Sequence, residues 1–334
     1  MPIAYLTTKG MKVSLHSERH EVTVPRHAEG QYPARRSIPL VDIEHVVVDA
    51  GVALSTPALC GLLRKNIPVL FMAHGTFPSG HAIPAGASTA VLAAQLDRAR
   101  DPAFRLEQSR RLIVAKIQNQ KRVLQRLAAN RSRSVEGTAA WLNSIANQAR
   151  AAAGVDSLRG IEGAAAGRYF ETLGAFFPPG LPFERRSRRP PHNPANALLS
   201  FVYTLLVAEF SMHLRAAGLE PAWGVYHETE EGRPSLSLDL LEPFHAPVAD
   251  ALVLDTLNHK RFQEEDFEYR DGGCFLRRDS RRKLFGALEN RLEREFLHEQ
   301  AGHRTTLRQV IKDHCYQAKR AFNEGCPLRP FKMN

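Results

Sequence analysis

Four side chains with metal-binding chemistry lie in two short stretches of the chain. Glu162 stands alone among six glycines and alanines in RGIEGAAAGRYF. His227, Asp239 and Glu242 fall within WGVYHETEEGRPSLSLDLLEPF. Three carboxylates and one imidazole, with no thiolate, favour Mg²⁺ or Mn²⁺ over a closed structural zinc site. Such an ion, with positions left open to water and substrate, can polarise a phosphodiester.

The spacing of the acidic pair predicts that its two members share one helix face. The Gly-Arg pair before Pro234 indicates a turn, and proline is tolerated in the first turn of a helix that follows. If SLSLDLLE is helical, Asp239 and Glu242 are three residues apart and therefore neighbours. His227 precedes the turn, so the turn can carry its imidazole back towards the acidic face.

Ordinary structural roles also explain these residues when each is taken singly. A Glu in a helix is most often solvated, a His before a turn is most often a surface residue, and acidic pairs are common on exposed helices. Spacing alone does not bring the separate segments together. Residue types therefore leave a metal site and a solvated surface as alternatives. A weaker metal candidate is the C-terminal group His298, His303, His314 and Cys315.

The charge of the chain favours an anionic partner. Its 334 residues include 45 Lys and Arg against 35 Asp and Glu, a net charge of +10. Such an excess suits nucleic acid or an acidic membrane surface. Basic residues cluster in the Pro-rich loop at residues 177–196, although each cluster taken alone is most often a solvated surface. We predict DNA contacts from Arg186, Arg188, Arg189 and Asn196.

Neither a membrane span nor a secretory signal is predicted. The longest apolar run, at residues 197–208, is shorter than the roughly 20 residues that cross a bilayer, so it predicts a buried helix. The N-terminus lacks the charged and apolar regions of a signal peptide. The four cysteines form no CxxC pair and suit a reducing compartment. We expect a cytoplasmic protein.

The distribution of patterns predicts two domains and an α+β fold class. Residues 1–85 contain the strand-like runs KVSLH, EVTVP, HVVVD and IPVLFMA, with the short helix LSTPALCGLLRKN between them. Residues 74–88 are rich in Gly, Pro and Ser and predict a loop. From about residue 89 the apolar spacing becomes helical, so residues 86–334 are expected to form a larger all-helical domain that bears the site.

Three segments, in their order, resemble the CRISPR-associated integrase family, the large subunit of the spacer-acquisition complex. They are IEGAAAGRYF, RRPPHNPANALLSFVYTLL and GVYHETEEGRPSLSLDLLEPF. The N-terminal segment ARRSIPLVDIEHVVVDAGVALSTPALCGLLRKN and the C-terminal PLRPFK are similar to the family as well, so the resemblance spans nearly the whole chain. The chain departs from the family pattern at Asn193-Pro194, Val202 and Leu328, none of which is a predicted ligand.

The resemblance implies an activity and a set of ligands. It implies a metal-dependent DNA endonuclease and integrase that joins the 3′-hydroxyl ends of short foreign DNA fragments to a CRISPR repeat by transesterification. Glu162, His227 and Glu242 correspond to the family's metal ligands, and Asp239 is either a further ligand or supports them. The ion is Mg²⁺ or Mn²⁺, and small residues surround Glu162 so that a helix and a DNA backbone can pass close by.

The resemblance also implies partners. Double-stranded DNA is the substrate, the β-sandwich-like N-terminal domain dimerises, and a small ferredoxin-like subunit bridges the dimers. No membrane is involved. Two rival functions are a metal phosphoesterase acting on small molecules and a non-catalytic DNA-binding scaffold. The phosphoesterase would not need so many dispersed basic residues, and the scaffold would keep DNA binding without strand joining.

Overall fold

The computed structural model divides the chain into two units. The first contains residues 1–86 and a separate segment, 284–289, and the second contains the remainder. The sequence predicted a boundary at residue 85 and gave no sign of the separate segment. The structure describes residues 4–16, 19–24, 34–38, 43, 45–73, 77–84, 88–131, 133–299 and 302–333.

Strands dominate the described part of the first unit. They are β1 (Ala4–Leu6), β2 (Lys12–His16), β3 (Arg19–Val24), β4 (Ala34–Ile38), β5 (Val46–Asp49), β6 (Ala53–Leu54), β7 (Val69–Ala73) and β8 (Phe77–Ala82). One sheet has the order β1–β5–β7–β8, in which only the β7–β8 pair is antiparallel. The other has the order β4–β3–β2–β6, in which only the β2–β6 pair is parallel.

A common hydrophobic core joins these sheets to helix α1 (Thr56–Arg64). Val13 and Val22 of one sheet, Val46 and Val69 of the other, and Leu62 of the helix belong to it. The helix begins where the sequence predicted. The hydroxyl of Ser55 accepts the N–H of Ala58 at 3.3 Å, and proline fills the first turn, where its missing N–H costs nothing.

Strand β8 lies where the sequence predicted a loop. It pairs with β7 at the edge of its sheet, and the register shifts between Phe71 and Met72, close to Pro78. An edge strand tolerates proline because one of its sides needs no ladder hydrogen bond. The Gly, Pro and Ser content of FPSGHA therefore misled the loop prediction. Residues 74–76 and 85–87 of that predicted loop fall outside the described residues.

Helices dominate the second unit. They are α2 (Thr89–Arg100), α3 (Pro102–Ala129), α4 (Glu136–Ala151), α5 (Val155–Gly174), α6 (Pro194–Ala216), α7 (Ser235–Leu241), α8 (Ala251–Asn258), α9 (Arg281–Glu293) and α10 (Leu307–Glu324). Residues 284–289 of α9 group with the first unit. The predicted fold class is confirmed, although two hairpins join the helices, β9 (Phe267–Arg270) with β10 (Gly273–Leu276) and β11 (Glu295–His298) with β12 (His303–Thr306).

The long helical pattern that starts near residue 89 is broken once, at Asp101. Its carboxylate accepts the N–H of Ala103 at 2.9 Å, and Pro102 occupies the first position of α3. Helix α3 packs against α4 and α5, and its Leu112, Ile113 and Ile117 are completely buried. This central position takes polar residues of α3 into the interior as well.

Helix α6 contains the longest apolar run of the sequence. By length and composition it is apolar enough to cross a membrane, with a mean hydropathy of 1.6, but 72% of that stretch is buried inside the protein. Its Leu198, Leu199 and Leu206 have no exposed surface. The predicted buried helix is confirmed.

Candidate metal centre

The chain from α7 to α8 stays helical but changes its pitch at the candidate site. A 3₁₀ segment, Glu242–Phe244, follows α7, and a π segment, His245–Asp250, precedes α8. Pro243 and Pro247 lack the N–H that an α-helical ladder needs, so the regular hydrogen bonding cannot continue through them. The change of pitch begins at Glu242, one of the predicted ligands.

A close turn brings the segment before α7 back over that helix. Gly232 has a φ of +72°, which a glycine adopts without strain, and the N–H of Leu236 donates to the carbonyl of Pro221 at 2.7 Å. Gly224 is required for the approach, because a Cβ there would lie 2.6 Å from an oxygen of Asp239. His227 is thereby folded back onto the acidic face of α7.

Asp239 is fully buried and accepts four hydrogen bonds from the returning segment. Its Oδ2 accepts the N–H groups of Val225 at 2.6 Å and Tyr226 at 2.9 Å. Its Oδ1 accepts the N–H of His227 at 2.9 Å and lies 2.7 Å from Nδ1 of the same residue. A carboxylate only accepts, so Nδ1 carries the proton and Nε2 keeps the lone pair that binds a metal.

The same contacts raise the pKa of His227. Burial alone lowers the pKa of the imidazole, but the hydrogen bond to Asp239 and the charges of Asp239 and Glu242 outweigh it. The aromatic ring of Tyr226 packs edge-on against the imidazole, with 5.1 Å between the ring centres. The ring of His227 is therefore fixed in both position and tautomer.

Lys116 of α3 lies between the two other predicted ligands. Its Nζ contacts Oε1 of Glu162 on α5 and lies 2.6 Å from Oε2 of Glu242. The side chain of Lys116 is only 9% exposed. Burial alone lowers the pKa of Lys116, but the charges of Glu242 and Glu162 outweigh it, so the pKa is raised and the amine remains a cation. Two carboxylates from distant segments thus already converge on one positive charge.

The donor set fits a divalent ion at this position. Nε2 of His227 lies 3.8 Å from Oε1 of Glu242. Two ligands of one Mg²⁺, each about 2.1 Å from it, are about 3 to 4 Å apart. Two carboxylates and one imidazole nitrogen also match the preference of Mg²⁺ and Mn²⁺ for oxygen-rich sites. Glu162, His227 and Glu242 are therefore the residues that would hold the ion.

The ligand atoms are not yet gathered around a common point. Among the described residues, no three His, Cys, Asp or Glu side chains form a ready metal group. The ammonium of Lys116 explains this, because it occupies the space between Glu162 and Glu242. The weaker C-terminal candidate does not form a metal group either, and its His298 and His303 are paired across the β11–β12 hairpin.

Three residues of the site were missed by the sequence reasoning. They are Lys116, Tyr226 and His245. The Nε2 of His245 lies 3.9 Å from Glu242, and burial holds the pKa of this imidazole well below its usual value. The hydroxyl of Tyr226 is buried without a hydrogen-bond partner among the described residues. One signal was present: Lys116 interrupts the apolar run LIVAKI, where a buried lysine needs anionic partners.

The small residues around Glu162 lie on two sides of α5. A Cβ added to Gly160, Gly163 or Gly167 would meet no described atom within 4 Å, so no helix packs closely there. Ala165, on the opposite side of α5, is buried. The glycines therefore lie on the solvent side of α5, whereas Glu162 lies on the side that faces Lys116 of α3.

The predicted DNA-contact residues separate into two kinds. Asn196 has no exposed surface; its side-chain oxygen accepts from the backbone of Ser187, and its amide donates to the carbonyl of Arg185. Arg186 is also turned inwards, with bonds to Asn196 and Ser200. These two side chains build the loop and offer little to a nucleic acid. Arg188 and Arg189 are exposed, so DNA contact stays a prediction for them.

A known family matches most of the chain. Residues 4–290 match the family model described as CRISPR associated protein Cas1. The chain is 34% identical over 314 residues to a CRISPR-associated endonuclease Cas1 of Thermus thermophilus, covering 92% of this chain and 88% of that one. The chain therefore belongs to the Cas1 family, which confirms the family that the sequence motifs resembled.

Another curated relative is a CRISPR-associated exonuclease Cas4/endonuclease Cas1 fusion of Rhodospirillum rubrum. It is 37% identical over 315 residues, which are 92% of this chain and 53% of that protein. A fusion of the same description from Geobacter sulfurreducens is also covered to 53%. The chain thus spans about half the length of these two relatives and most of the length of the Thermus thermophilus protein.

Solved structures share the fold at low identity. A casposase bound to an integration product has a TM-score of 0.85 and 21% identity, with 98% of this chain and 92% of that chain covered. A chain of a Cas6-RT-Cas1–Cas2 complex has a TM-score of 0.80 and 23% identity, with 99% of this chain and 36% of that chain covered. At such identities the comparison shows a common fold.

Proposed function

We propose that the protein is a metal-dependent DNA endonuclease and integrase that joins the 3′-hydroxyl ends of short foreign DNA fragments to a CRISPR repeat. One observation carries the proposal: Glu162 and Glu242 converge on the ammonium of Lys116, and the other oxygen of Glu242 lies 3.8 Å from Nε2 of His227. Relatives named CRISPR-associated endonucleases give further support. The net charge of +10 suits a nucleic-acid substrate.

Glu162, His227 and Glu242 would hold the ion in this mechanism, and Asp239 would position His227 rather than bind the ion. When bound, Mg²⁺ or Mn²⁺ supplies the positive charge that polarises a phosphodiester and activates the attacking hydroxyl. Both oxygens of Asp239 already accept N–H groups, which is why Asp239 is given a positioning role. Its contact with Nδ1 of His227 keeps the imidazole in one tautomer. The exposed Arg188 and Arg189 position the DNA backbone without reading its sequence.

Lys116 has two roles in the proposed reaction. Before a metal ion binds, its ammonium neutralises Glu162 and Glu242, which would otherwise repel each other in a buried site. With an ion held by these carboxylates, the ammonium would be available to a phosphate oxygen of the substrate.

We further propose a homodimer that is formed through the first unit and bridged by a small ferredoxin-like subunit. The Cas6-RT-Cas1–Cas2 complex, in which a chain of the same fold is assembled with a second kind of subunit, supports such a partner. The four cysteines are all free thiols, which suits the cytoplasm. The mass of the purified protein in solution, alone and with the small subunit, tests this assembly.

Strand joining in the presence of metal tests the proposed function. The protein, the small subunit and a pre-formed DNA fragment are incubated with supercoiled repeat DNA, with Mn²⁺ or with a chelator. Joined products should form with Mn²⁺ and vanish with the chelator. Glu162→Gln and His227→Ala should abolish joining while leaving DNA binding in place.

A matched control is Glu171→Gln, which removes an exposed carboxylate from the same helix as Glu162 and should join DNA normally. Binding of Mn²⁺, followed by calorimetry, gives a readout that does not depend on activity, and it should weaken in both site variants. Strand joining unaffected by Glu162→Gln would favour the scaffold function. Activity on nucleotides without any on DNA would favour the small-molecule phosphoesterase.

A further inference from the structure

A cleft with a volume of about 780 Å³ opens in the second unit between α3, α10 and the C-terminal segment. A cleft of that size can hold a small organic ligand. Carboxylates at Glu107 and Asp313 are outnumbered by cations in its lining. The cations are Arg110, Arg111, Arg150, Arg329 and Lys332.

The cations differ in whether they form hydrogen bonds or ion pairs within the protein. Arg110 donates to the carbonyl of Ala152, and Nε of Arg111 donates to Glu107 at 2.7 Å. Arg329 and Lys332 are exposed and form no ion pair or hydrogen bond with another described side chain. Uncompensated charge therefore lies at the side of the cleft formed by the C-terminal segment.

The interior of the cleft is unlike a simple phosphate site. Val114, Val310 and Phe331 give it an apolar wall. The Nε2 of His314 and the side-chain oxygen of Gln317 are buried and have no hydrogen-bond partner among the described residues. His314 is only 2% exposed, and the two residues lie three apart on α10, hence on one face. Buried polar atoms without partners are costly, so they indicate a ligand or an ordered water.

The wall formed by the C-terminal segment is held in place from α3. The side-chain oxygen of Gln108 accepts the N–H of Leu328 at 2.8 Å. Asn119 donates to the carbonyl of Phe331 at 2.9 Å and accepts the N–H of Met333 at 2.8 Å. The cleft is therefore a built feature of the fold rather than a gap beside a loose chain end.

We propose that this cleft binds a nucleotide. Its phosphate lies among Arg111, Arg329 and Lys332, its base lies against the apolar wall, and the edge of the base hydrogen-bonds to His314 and Gln317. A bare phosphate needs only the cations. A phosphorylated nucleoside uses the cations, the apolar wall and the two buried polar atoms. The nucleotide comes either from an unpaired stretch of a DNA strand or from the free pool.

Calorimetric titration of the chelator-treated protein tests the inference without the metal-dependent reaction. The ligands are the four deoxynucleoside monophosphates, thymidine and inorganic phosphate. At least one monophosphate should bind about tenfold or more tightly than phosphate or thymidine, because each of these lacks one half of the contacts. Affinities for all four monophosphates no better than that for phosphate would overturn the proposal.

Variants then locate the binding. Arg111→Glu combined with Lys332→Glu changes exposed side chains and should weaken binding of the monophosphate at least about tenfold, as the loss of a charge-assisted hydrogen bond does. Arg122→Glu, an exposed charge reversal elsewhere on α3, is the matched control and should bind normally. Equal weakening by the control would mean general attraction of anions and would refute the assignment.

The His314→Phe variant tests how the base is recognised. It should keep the affinity for inorganic phosphate and lose the preference among the four bases, provided that its melting curve shows a folded protein. An unchanged base preference would refute the role of His314.

The source of the nucleotide is found by competition. A duplex with single-stranded tails that displaces the bound monophosphate, where a blunt duplex does not, identifies a DNA strand as the source. Displacement by neither duplex identifies a free nucleotide.

Discussion

The carboxylate of Asp239 holds His227 by two contacts, one to its backbone N–H at 2.9 Å and one to its Nδ1 at 2.7 Å. Asp239→Asn should weaken Mn²⁺ binding about 10- to 100-fold, because an amide cannot accept from all of these N–H groups and the imidazole loses its fixed orientation. Calorimetry with Mn²⁺ measures the effect. Asp156→Asn changes a carboxylate that is 93% exposed and should bind the ion normally. An unchanged affinity in Asp239→Asn would contradict the positioning role.

Replacement of Lys116 should separate stability from metal affinity. Lys116→Met leaves Glu162 and Glu242 unneutralised, so the free energy of unfolding in chelator should fall by about 3 to 5 kcal/mol. Mn²⁺ should restore part of it and should bind this variant more tightly than the wild type, since no ammonium must be displaced. Urea denaturation with and without Mn²⁺ measures both effects. Lys121→Met, one turn further along α3, is the control. Weaker Mn²⁺ binding in Lys116→Met would show that the two cations do not compete.

Burial of His314 makes stability depend on pH. Burial lowers the pKa of His314 from its ordinary value of 6.5 to about 4. The unfolded chain therefore takes up a proton before the folded chain does, and the contribution of this residue to stability falls as the pH drops below 6.5. Between pH 7 and pH 4.5 the loss is about 2 to 3 kcal/mol. His314→Phe should show a correspondingly smaller fall in urea denaturation, and parallel curves for the two proteins would contradict the assignment.

Asn119 ties the C-terminal segment to the residue that follows Glu242. Its amide donates to the carbonyls of Pro243 at 2.7 Å and Phe331 at 2.9 Å. Asn119→Leu leaves buried carbonyls without donors and should reduce the free energy of unfolding by about 2 to 4 kcal/mol. Asn143→Leu removes an exposed amide from α4 and should cost far less. Chemical denaturation compares them, and equal losses would show that the tie contributes little.

Replacement of the arginines in the Pro-rich loop should affect different properties: DNA binding in one case and stability in the other. Arg188→Ala with Arg189→Ala should reduce the salt dependence of DNA binding, lowering the slope of log affinity against log salt by about 1 to 2. Titrations between about 50 and about 300 mM salt measure the slope. Arg186→Ala should instead lower the melting temperature, since its guanidinium bonds Asn196 and Ser200 inside the loop. The opposite assignment of effects would place Arg186 at the DNA.

The sequence predicted the fold class well, because strand and helix patterns are local, and the ligand set stays a prediction. Strand runs, the cap at Ser55 and the segment order around Glu162 and His227 are all visible in the sequence. The positions of Lys116 and Asn119 were not, because their partners are more than 40 residues away and only folding reveals them. Strand β8 was missed because pairing at a sheet edge overrode its turn-forming composition. Asn196 was predicted to contact DNA, and nothing local to it marks a buried loop anchor.

Segment 284–289 completes the first unit although it comes roughly 200 residues later in the chain, and the ring of its Phe285 stacks on Tyr5 with 4.8 Å between centres. The first unit, called the β unit here, is thus discontinuous in sequence. A protein truncated after residue 86 therefore lacks one of its two segments. A chimera made with the front half of another family member has to import the matching stretch of α9 as well. Recombination between such genes preserves the β unit only when residues 1–86 and 284–289 come from the same parent gene.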